Sequence, residues 1–243
     1  MKKLLSIAVL SAFALTSCSD SSSDEFEQGN GAVAQKLITK LHIDPADSSE
    51  STSNLIVNYD ASNKVTSITD GVESTQFNYQ NGGLSTVTGD GDPYAIAQLY
   101  EAPYKGYEIG KVLAYDANGN PKSLRLYEEG NAGVEEFTAE ITYDDAPNTF
   151  FFTMKAAGII DVLDNIELNM NMQSVPQEII RAKLLLPVNN PIKVVVKDAQ
   201  GRTVSTVVTA YVYDADKYPT SATVTQTEDG EVYAYTVNYT YKQ

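Results

Sequence analysis

The sequence predicts an all-β protein of about 10–14 short antiparallel strands, interrupted by a helical or irregular insertion near residues 156–186. Three observations lead to this prediction. Apolar and polar residues alternate over many short segments rich in Val, Thr and Tyr, which is typical of strands with one buried face. Turn-forming pairs such as Asp-Gly, Asn-Gly and Gln-Gly separate these segments. Between residues 147 and 191 the alternation stops and apolar residues become denser.

The chain opens with a short segment that has the features of a signal peptide. Two lysines precede an uncharged apolar run over residues 4–15, which is too short to cross a bilayer as a helix, since that needs about 20 residues. Residues 15–18, Leu-Thr-Ser-Cys, resemble the lipobox of bacterial lipoproteins, in which the cysteine is acylated and the chain is cleaved before it. The sequence therefore predicts a lipoprotein signal peptide over residues 1–17 and lipid attachment at Cys18.

Cys18 is the one cysteine among 243 residues. Exported proteins usually hold cysteines in pairs as disulfides, so an unpaired cysteine here favours lipidation over a chance residue behind an ordinary secretory signal. Cleavage leaves 15 of the 17 basic residues against all 32 acidic ones, a side-chain net charge of −17. Because nucleic acids and anionic lipid headgroups both require basic patches, we expect no nucleic-acid partner and attachment to the membrane through the lipid anchor.

Residues 18–35 are predicted to form the lipidated cysteine and a flexible acidic tether. Cys18 is followed by Ser-Asp-Ser-Ser-Ser-Asp-Glu, a stretch too polar to bury apolar surface. It is either a plain spacer or a sorting signal, because it resembles the Ser/Asp/Glu-rich export signal of Bacteroidetes-type surface lipoproteins. Ser19 stands where inner-membrane retention requires Asp. We therefore expect the protein at the outer membrane, with the cell surface favoured over a periplasm-facing position.

Residues 36–243 form the predicted β domain. The clearest strand lies at 233–241, where four tyrosines and Val237 alternate with small polar residues. The same alternation occurs over residues 55–59, 137–143 and 204–212. Within the insertion, residues 156–168 and 176–186 are expected to be helical, the second because Pro176 suits a first helical turn. We expect this insertion to plug or cap the sheet.

A short motif, Tyr-Asp-Ala, recurs at three strand ends, residues 59–61, 115–117 and 213–215. The tyrosine offers a large cross-strand contact, and the aspartate can accept backbone N–H groups in the turn that follows. Residues 79–80 and 143–144 look like degenerate copies. The motif therefore predicts a series of similar hairpins.

Residues 115–121, Tyr-Asp-Ala-Asn-Gly-Asn-Pro, resemble the tyrosine–aspartate repeat of large secreted shell proteins. Over residues 36–243 the chain is more similar to an uncharacterised family of Bacteroidetes-type lipoproteins with a porin-like β-barrel fold. The order of three segments carries this resemblance, namely 143–148, 189–192 and 213–220. The resemblance implies a large antiparallel, barrel-like sheet, and it implies no activity.

Such a barrel can lie in a membrane or outside it. A membrane barrel shows an outward apolar band on every strand, whereas many strands here carry Thr, Asn, Glu and Lys opposite their apolar face. The lipid anchor would also be redundant for a membrane-inserted barrel. We therefore expect a soluble barrel, with side chains or a pocket inside.

The sequence offers little material for catalysis or metal binding. His42 is the single histidine, and no serine lies in a nucleophile-elbow motif. Zinc sites need three or four His or Cys ligands. Residues 116–120 have the spacing that opens an EF-hand loop, but Pro121 and Tyr127 stand where Gly and Glu are needed. We expect no catalytic residues, no metal site, no cofactor and no enzymatic activity.

Three functions stay open. The favoured one is a non-catalytic binding or assembly module anchored at the outer membrane, with a protein or a glycan as ligand. The second is a periplasmic carrier that holds an apolar ligand inside the barrel, beneath the insertion. The third is a carboxylate-dependent glycan hydrolase, since acidic residues are abundant and their pairing is spatial.

Overall fold

The computed structural model describes residues 21–89, 91, 93–97, 111–130, 133–170, 178–228 and 230–243. The predicted signal peptide and Cys18 lie outside these ranges, as do residues 19 and 20 of the predicted tether. Cleavage and lipidation therefore stay predictions.

Short strands make up most of the described chain. The described strands, β1 to β15 in chain order, cover Ile38–Pro45, Ser53–Tyr59, Val65–Thr69, Ser74–Gln80, Gly83–Thr88, Tyr94–Ala95, Lys111–Tyr115, Pro121–Gly130, Gly133–Pro147, Glu167–Met170, Glu178–Arg181, Asn189–Asp198, Thr203–Tyr213, Pro219–Glu228 and Glu231–Tyr241. The described α-helices, α1 to α3, cover Ser22–Asn30, Phe151–Ala156 and Ile159–Asn165, and a 3₁₀ turn covers Ala182–Leu185.

Thirteen of the described strands form one antiparallel sheet, in the order β6-β5-β4-β3-β2-β1-β15-β14-β13-β12-β9-β8-β7. Most neighbours follow one another in the chain, but β1 pairs with the last strand, with Leu41 opposite Tyr239. β6 and β7 are the edges, so within the described residues this barrel-like sheet does not close. The prediction of an all-β fold with a large antiparallel sheet of about 10–14 strands is confirmed.

The strands run between two ends of the sheet, which differ in what they carry. Because every pairing is antiparallel, alternate turns lie at the same end. One end holds the turns 60–64, 116–120 and 214–218 together with α2, and we call it the helix end. The other, which we call the far end, holds the turns 70–73 and 199–202.

One face of the sheet, the inner face, is apolar across nearly all its strands. From β4 to β8 it carries Phe77, Ile68, Val57, Leu41, Val237, Val224, Val207, Val194, Ile141 and Leu124. Over β2 to β6 the insertion packs against this face: Val57 and Phe77 are buried with Ala157, and Ile96 with Val162 of α3. The insertion therefore caps one half of the sheet.

The insertion itself differs from its prediction in two places. The helix expected over 156–168 is limited to α3, because Gly158 adopts a φ of 75° before Ile159 and β10 begins at Glu167. The helix expected over 176–186 is wrong where the structure describes it, since β11 pairs with β10 and a 3₁₀ turn follows. Two consecutive isoleucines, Ile179 and Ile180, favour a strand over a helix. Residues 171–177 lie outside the described ranges.

The prediction of a flexible tether over residues 18–35 is wrong over residues 21–30, which form a capped helix. Ser21 caps α1 by accepting the N–H of Asp24, and the helix then continues to Asn30. Phe26 is buried, and its ring stacks on Phe151 with 3.8 Å between the ring centroids. This large apolar side chain in an acidic stretch helps to dock the short helix, because a buried Phe contributes about 1.5–3 kcal/mol.

Candidate functional site

Each Tyr-Asp-Ala motif forms the same turn. The aspartate side chain accepts the N–H groups of the residues two and four places further along, over 2.8–3.0 Å. Its own N–H donates to the carbonyl four places further along, over 2.8–2.9 Å. The residue three places after the aspartate adopts a positive φ; these residues are Asn63, Gly119 and Lys217. The turn is thus built around one carboxylate.

A fourth copy of this turn, 198–202, was not identified from the sequence. Asp198 accepts the N–H groups of Gln200 and Arg202, and Gly201 has a φ of 77°. Lys197 replaces the tyrosine, so a search for Tyr-Asp-Ala passes over it. The shared signal is Asp-Ala-x-Gly, which also occurs at 116–119.

A row of tyrosine hydroxyls lies at the helix end. Each donates to a carbonyl near the start of the adjacent strand over 2.6–3.3 Å, in the pairs Tyr59 to Ile38, Tyr79 to Val65, Tyr143 to Pro121, Tyr211 to Pro191 and Tyr241 to Pro219. Burial raises the pKa of all five tyrosines, that of Tyr79 to about 12. The five hydroxyls therefore stay protonated at neutral pH and keep donating the hydrogen bonds that join neighbouring strands.

Buried asparagines join the turn 116–120 to β12 and β9. Asn120 Nδ2 donates to Asn189 Oδ1 over 2.9 Å, and Asn189 Nδ2 donates to the carbonyl of Ala146 over 3.0 Å. Asp116 Oδ2 accepts from Asn120 as well, over 2.9 Å. Both carboxylate oxygens of Asp116 and the side-chain oxygen of Asn120 thus accept hydrogen bonds within the protein.

Asp144 is the half-buried carboxylate that a hydrolase hypothesis would consider first. The Tyr213 hydroxyl and the N–H of Ala146 donate to it. Burial raises the pKa of Asp144, although these hydrogen bonds oppose the shift. The adjacent Asp145 is exposed and pairs with Lys217 over 3.1 Å. Asp144 therefore links β9 to β13 across the intervening strand β12.

His42 lies on β1 opposite Asn54 of β2, with 2.9 Å between Nδ1 and Oδ1. This cross-strand hydrogen bond gives His42 a structural role in the pairing of β1 with β2. Within the described ranges, no three His, Cys, Asp or Glu side chains are grouped closely enough to hold a metal ion. In the same part of the chain, each helix is too short or too polar to span a membrane.

Another part of the inner face, on β8, β9, β12 and β13, is apolar and mostly half-buried, whereas Val224 and Val237 on β14 and β15 are buried. Its half-buried side chains include Leu124, Leu126, Phe137, Ile141, Val194, Val196 and Val207. By contrast, Val57 and Val65 beneath the insertion are 5% and 0% exposed. This part of the sheet therefore presents apolar surface that its described neighbours leave partly accessible.

A cleft of ≈ 1150 Å³ opens at the far end of this apolar surface. Leu126, Phe137 and Val196 supply apolar lining, and register places Phe137 directly opposite Leu126. Exposed Glu135 and Glu136 lie at the rim, as do Glu228 and Arg202. Arg202 is engaged by Asp198, with 2.7 Å between Nε and Oδ2. The cleft thus combines an apolar part with polar lining, including Gln200 and Ser205, and with exposed acidic residues.

Three solved structures are distantly similar to this chain. A porin-like protein from Bacteroides uniformis ATCC 8492 is 12% identical, with 87% of this chain and 99% of that chain covered and a TM-score of 0.41. A porin-like protein from Bacteroides vulgatus ATCC 8482 is 13% identical over 85% and 99%, with a TM-score of 0.43. A LolA superfamily protein from Nitrosomonas europaea is 11% identical over 90% and 91%, with a TM-score of 0.29. No protein-family model and no curated protein matches the chain.

Proposed function

We propose that this chain is a lipid-anchored, non-catalytic binding protein of the bacterial outer membrane, whose cleft holds the apolar part of a ligand. The observation that carries the proposal is the half-buried apolar surface on β8, β9, β12 and β13, which continues into a cleft of ≈ 1150 Å³. Ligand sites in proteins are typically concave clefts or cavities of about 300–1000 Å³, and this cleft is slightly larger than that range.

The composition of the cleft favours an apolar ligand over a glycan. Leu126, Val134 and Val196 offer aliphatic surface, to which Phe137 and Tyr127 add two aromatic rings. Sugars are bound by aromatic stacking together with many hydrogen-bonding groups, whereas aliphatic surface gains chiefly from excluding water. Of the functions left open by the sequence, the binder or carrier of an apolar ligand therefore gains the most support.

The charge of the rim restricts the polar part of such a ligand. Glu135, Glu136 and Glu228 line the opening, and Arg202 is engaged by Asp198. Like charges are repelled at such an opening. A neutral or cationic polar group is therefore preferred to an anionic one.

The location of the protein is proposed from the sequence. The signal peptide over residues 1–17 and the lipobox ending at Cys18 support export and anchoring. Ser19 in place of Asp supports the outer membrane, and the Ser/Asp-rich stretch supports exposure on the cell surface. A periplasm-facing position is the alternative, in which the protein would act as a carrier.

Binding of a neutral apolar probe tests the cleft. The full chain carrying Cys18→Ala is titrated with N-phenyl-1-naphthylamine, whose fluorescence rises in apolar surroundings. We expect saturable binding, weakened about tenfold or more by Phe137→Ser or Val196→Ser, because each removes apolar contact of roughly 1.5–3 kcal/mol. Val208 is exposed on the outer face of β13, so Val208→Ser is the matched control and should bind like the parent.

The outcomes separate cleanly. Equal weakening by Val208→Ser and Val196→Ser, or the absence of saturable binding by the parent, would contradict the proposed function. Circular dichroism and thermal unfolding of each variant check that lost binding does not reflect lost folding. Organic extraction of the purified protein, followed by mass spectrometry, identifies any apolar ligand carried from the cell.

A further inference from the structure

The N-terminal helix is fixed to the domain from its first turn. The N–H and Oγ of Ser22 donate to Asp164 of α3 over 2.9 and 2.5 Å. One turn later, Phe26 is 3% exposed and stacks on Phe151. The chain therefore has no freedom to act as a spacer once it reaches Ser22.

The remaining distance to the lipid-bearing residue is short. Two residues, 19 and 20, separate Cys18 from Ser21. A fully extended chain spans about 3.3–3.6 Å per residue, so Ser21 lies within about 10 Å of the Cα atom of Cys18. A flexible tether reaching residue 35 would have allowed the domain to lie up to about 60 Å from Cys18. The start of α1 must therefore lie close to the bilayer surface.

Exposed apolar side chains lie beside α1 at the helix end. Tyr115 is 42% and Leu184 is 37% exposed, and the Tyr115 hydroxyl donates to the Leu184 carbonyl over 3.3 Å. The 3₁₀ turn that carries Leu184 reaches α1 through Lys183, whose Nζ lies 3.9 Å from Glu25. Phe150, 41% exposed, precedes the Phe151 that packs on α1. Tyrosine and aliphatic side chains of this kind favour the headgroup region of a bilayer.

We infer that the helix end rests on the membrane, with Tyr115 and Leu184 at the lipid interface, and that the cleft opens on the side away from the membrane. The inference rests on the proposed lipid anchor at Cys18. Contact with the bilayer is apolar, because a domain with a net charge of −17 gains nothing from anionic headgroups.

The orientation determines how a ligand reaches the cleft. β14, Pro219–Glu228, runs from the helix end to the far end. At about 3.3 Å per residue, its length holds the cleft about 30 Å from the bilayer. A ligand therefore enters from the aqueous side rather than directly from the supporting membrane.

Site-specific fluorescence quenching tests the orientation. Acylation of Cys18 leaves an introduced cysteine as the only thiol, so Leu184→Cys and Val72→Cys can each be labelled singly with a nitrobenzoxadiazole dye. Val72 is 92% exposed in the turn between β3 and β4, at the far end. The acylated protein is reconstituted in phosphatidylcholine vesicles containing a lipid with a nitroxide on its headgroup. We expect strong quenching at position 184 and little at position 72.

A linker variant shows whether the short connection causes the orientation. A Gly/Ser insertion of about 15 residues between Asp20 and Ser21 adds an average reach of about 20 Å without changing the domain. We expect this variant to float with vesicles but to lose the difference in quenching. Equal quenching at positions 184 and 72 in the uninserted protein would overturn the orientation while leaving the anchor intact. Failure to float with vesicles would overturn the anchor, and the orientation with it.

Discussion

Asp214 shows how one carboxylate holds both a turn and a neighbouring segment. Lys36 Nζ lies 2.6 Å from Asp214 Oδ2 and 5.6 Å from the centroid of the Tyr218 ring. Burial opposes the ionisation of Asp214, but hydrogen bonds from Lys36 and from the N–H groups of Tyr218 and Asp216 lower its pKa below the usual 3.8. The segment that leads into β1 is thereby bound to the turn between β13 and β14.

Replacing Asp214 by Asn is expected to make stability less sensitive to acid. A carboxylate whose pKa is lowered by folding stabilises the protein above its unfolded pKa, and this contribution is lost as the pH falls through the folded pKa. At pH 7, Asp214→Asn should lower the free energy of unfolding by about 1–2 kcal/mol, because charged hydrogen bonds are lost. Below about pH 4 the difference from the wild type should shrink. Urea unfolding at pH 7 and pH 3 measures both.

Glu50 provides a matched control for the change in charge. It is exposed in the connection between β1 and β2, so Glu50→Gln removes one negative charge at a distance from this turn. The free energy of unfolding of the Glu50→Gln variant should differ from that of the wild type by less than about 0.5 kcal/mol. An acid profile of Asp214→Asn that parallels the wild-type profile would contradict the role assigned to Asp214.

Among the elements, the repeated turns depend on a residue with positive φ. Gly119 has a φ of 86°, and no described heavy atom lies within 4 Å of the position its Cβ would occupy. Adding a methyl group at this position would therefore cause no steric clash, and any loss of stability would come from the strained backbone conformation. The sequence predicted this turn because Asn-Gly commonly supplies such a conformation.

Gly119→Ala should lower the free energy of unfolding by about 1–2 kcal/mol, since an L-residue in the left-handed region is strained by that amount. Gly83→Ala is the control: the site is equally open, and Gly83 lies outside the left-handed region. It should be neutral or slightly stabilising. Thermal or urea unfolding of the two variants gives the comparison, and equal losses would show that the turn conformation is not responsible.

The two elements that were wrongly predicted from the sequence, α1 and β11, both depend on contacts with other parts of the chain. α1 forms in a segment of low hydrophobicity because Phe26 packs against Phe151, which lies more than a hundred residues further along the chain. β11 forms in place of a helix because β10 supplies a partner strand. Composition alone favoured a tether and a helix, since neither partner is visible in a local window.

At the scale of the whole molecule, we expect the folding of the domain not to depend on the lipid at Cys18. Cys18→Ala removes the acylation site without touching the described domain, in which residues from Ser21 onward are packed. We expect the variant to leave the membrane fraction while its far-ultraviolet circular dichroism and its unfolding midpoint stay those of the acylated protein. Fractionation of cells, followed by carbonate extraction, measures the release.

The same cells also report on which way the protein faces. Protease added to intact cells should degrade the anchored protein if it lies on the surface, and protection would favour the periplasm-facing alternative. A Cys18→Ala variant that stays in the membrane and resists carbonate would mean that the lipid is not the anchor. In that case a membrane-inserted barrel would replace the present proposal.

The sequence by itself determined the fold class, the positions of most turns and the function of the turn aspartates. These features are encoded locally, in residue alternation and in the carboxylate of each Asp-Ala turn, so a short window is sufficient. Only the tertiary structure decided that β1 pairs with β15, that α1 docks, and that the insertion caps one half of the inner face. The sequence predicts cross-strand contacts for the motif tyrosines, but the hydrogen bonds that the Tyr59 and Tyr143 hydroxyls donate to backbone carbonyls required the fold. The cleft follows from such long-range contacts, because an apolar strand face becomes a site only where the described parts of the chain leave it accessible.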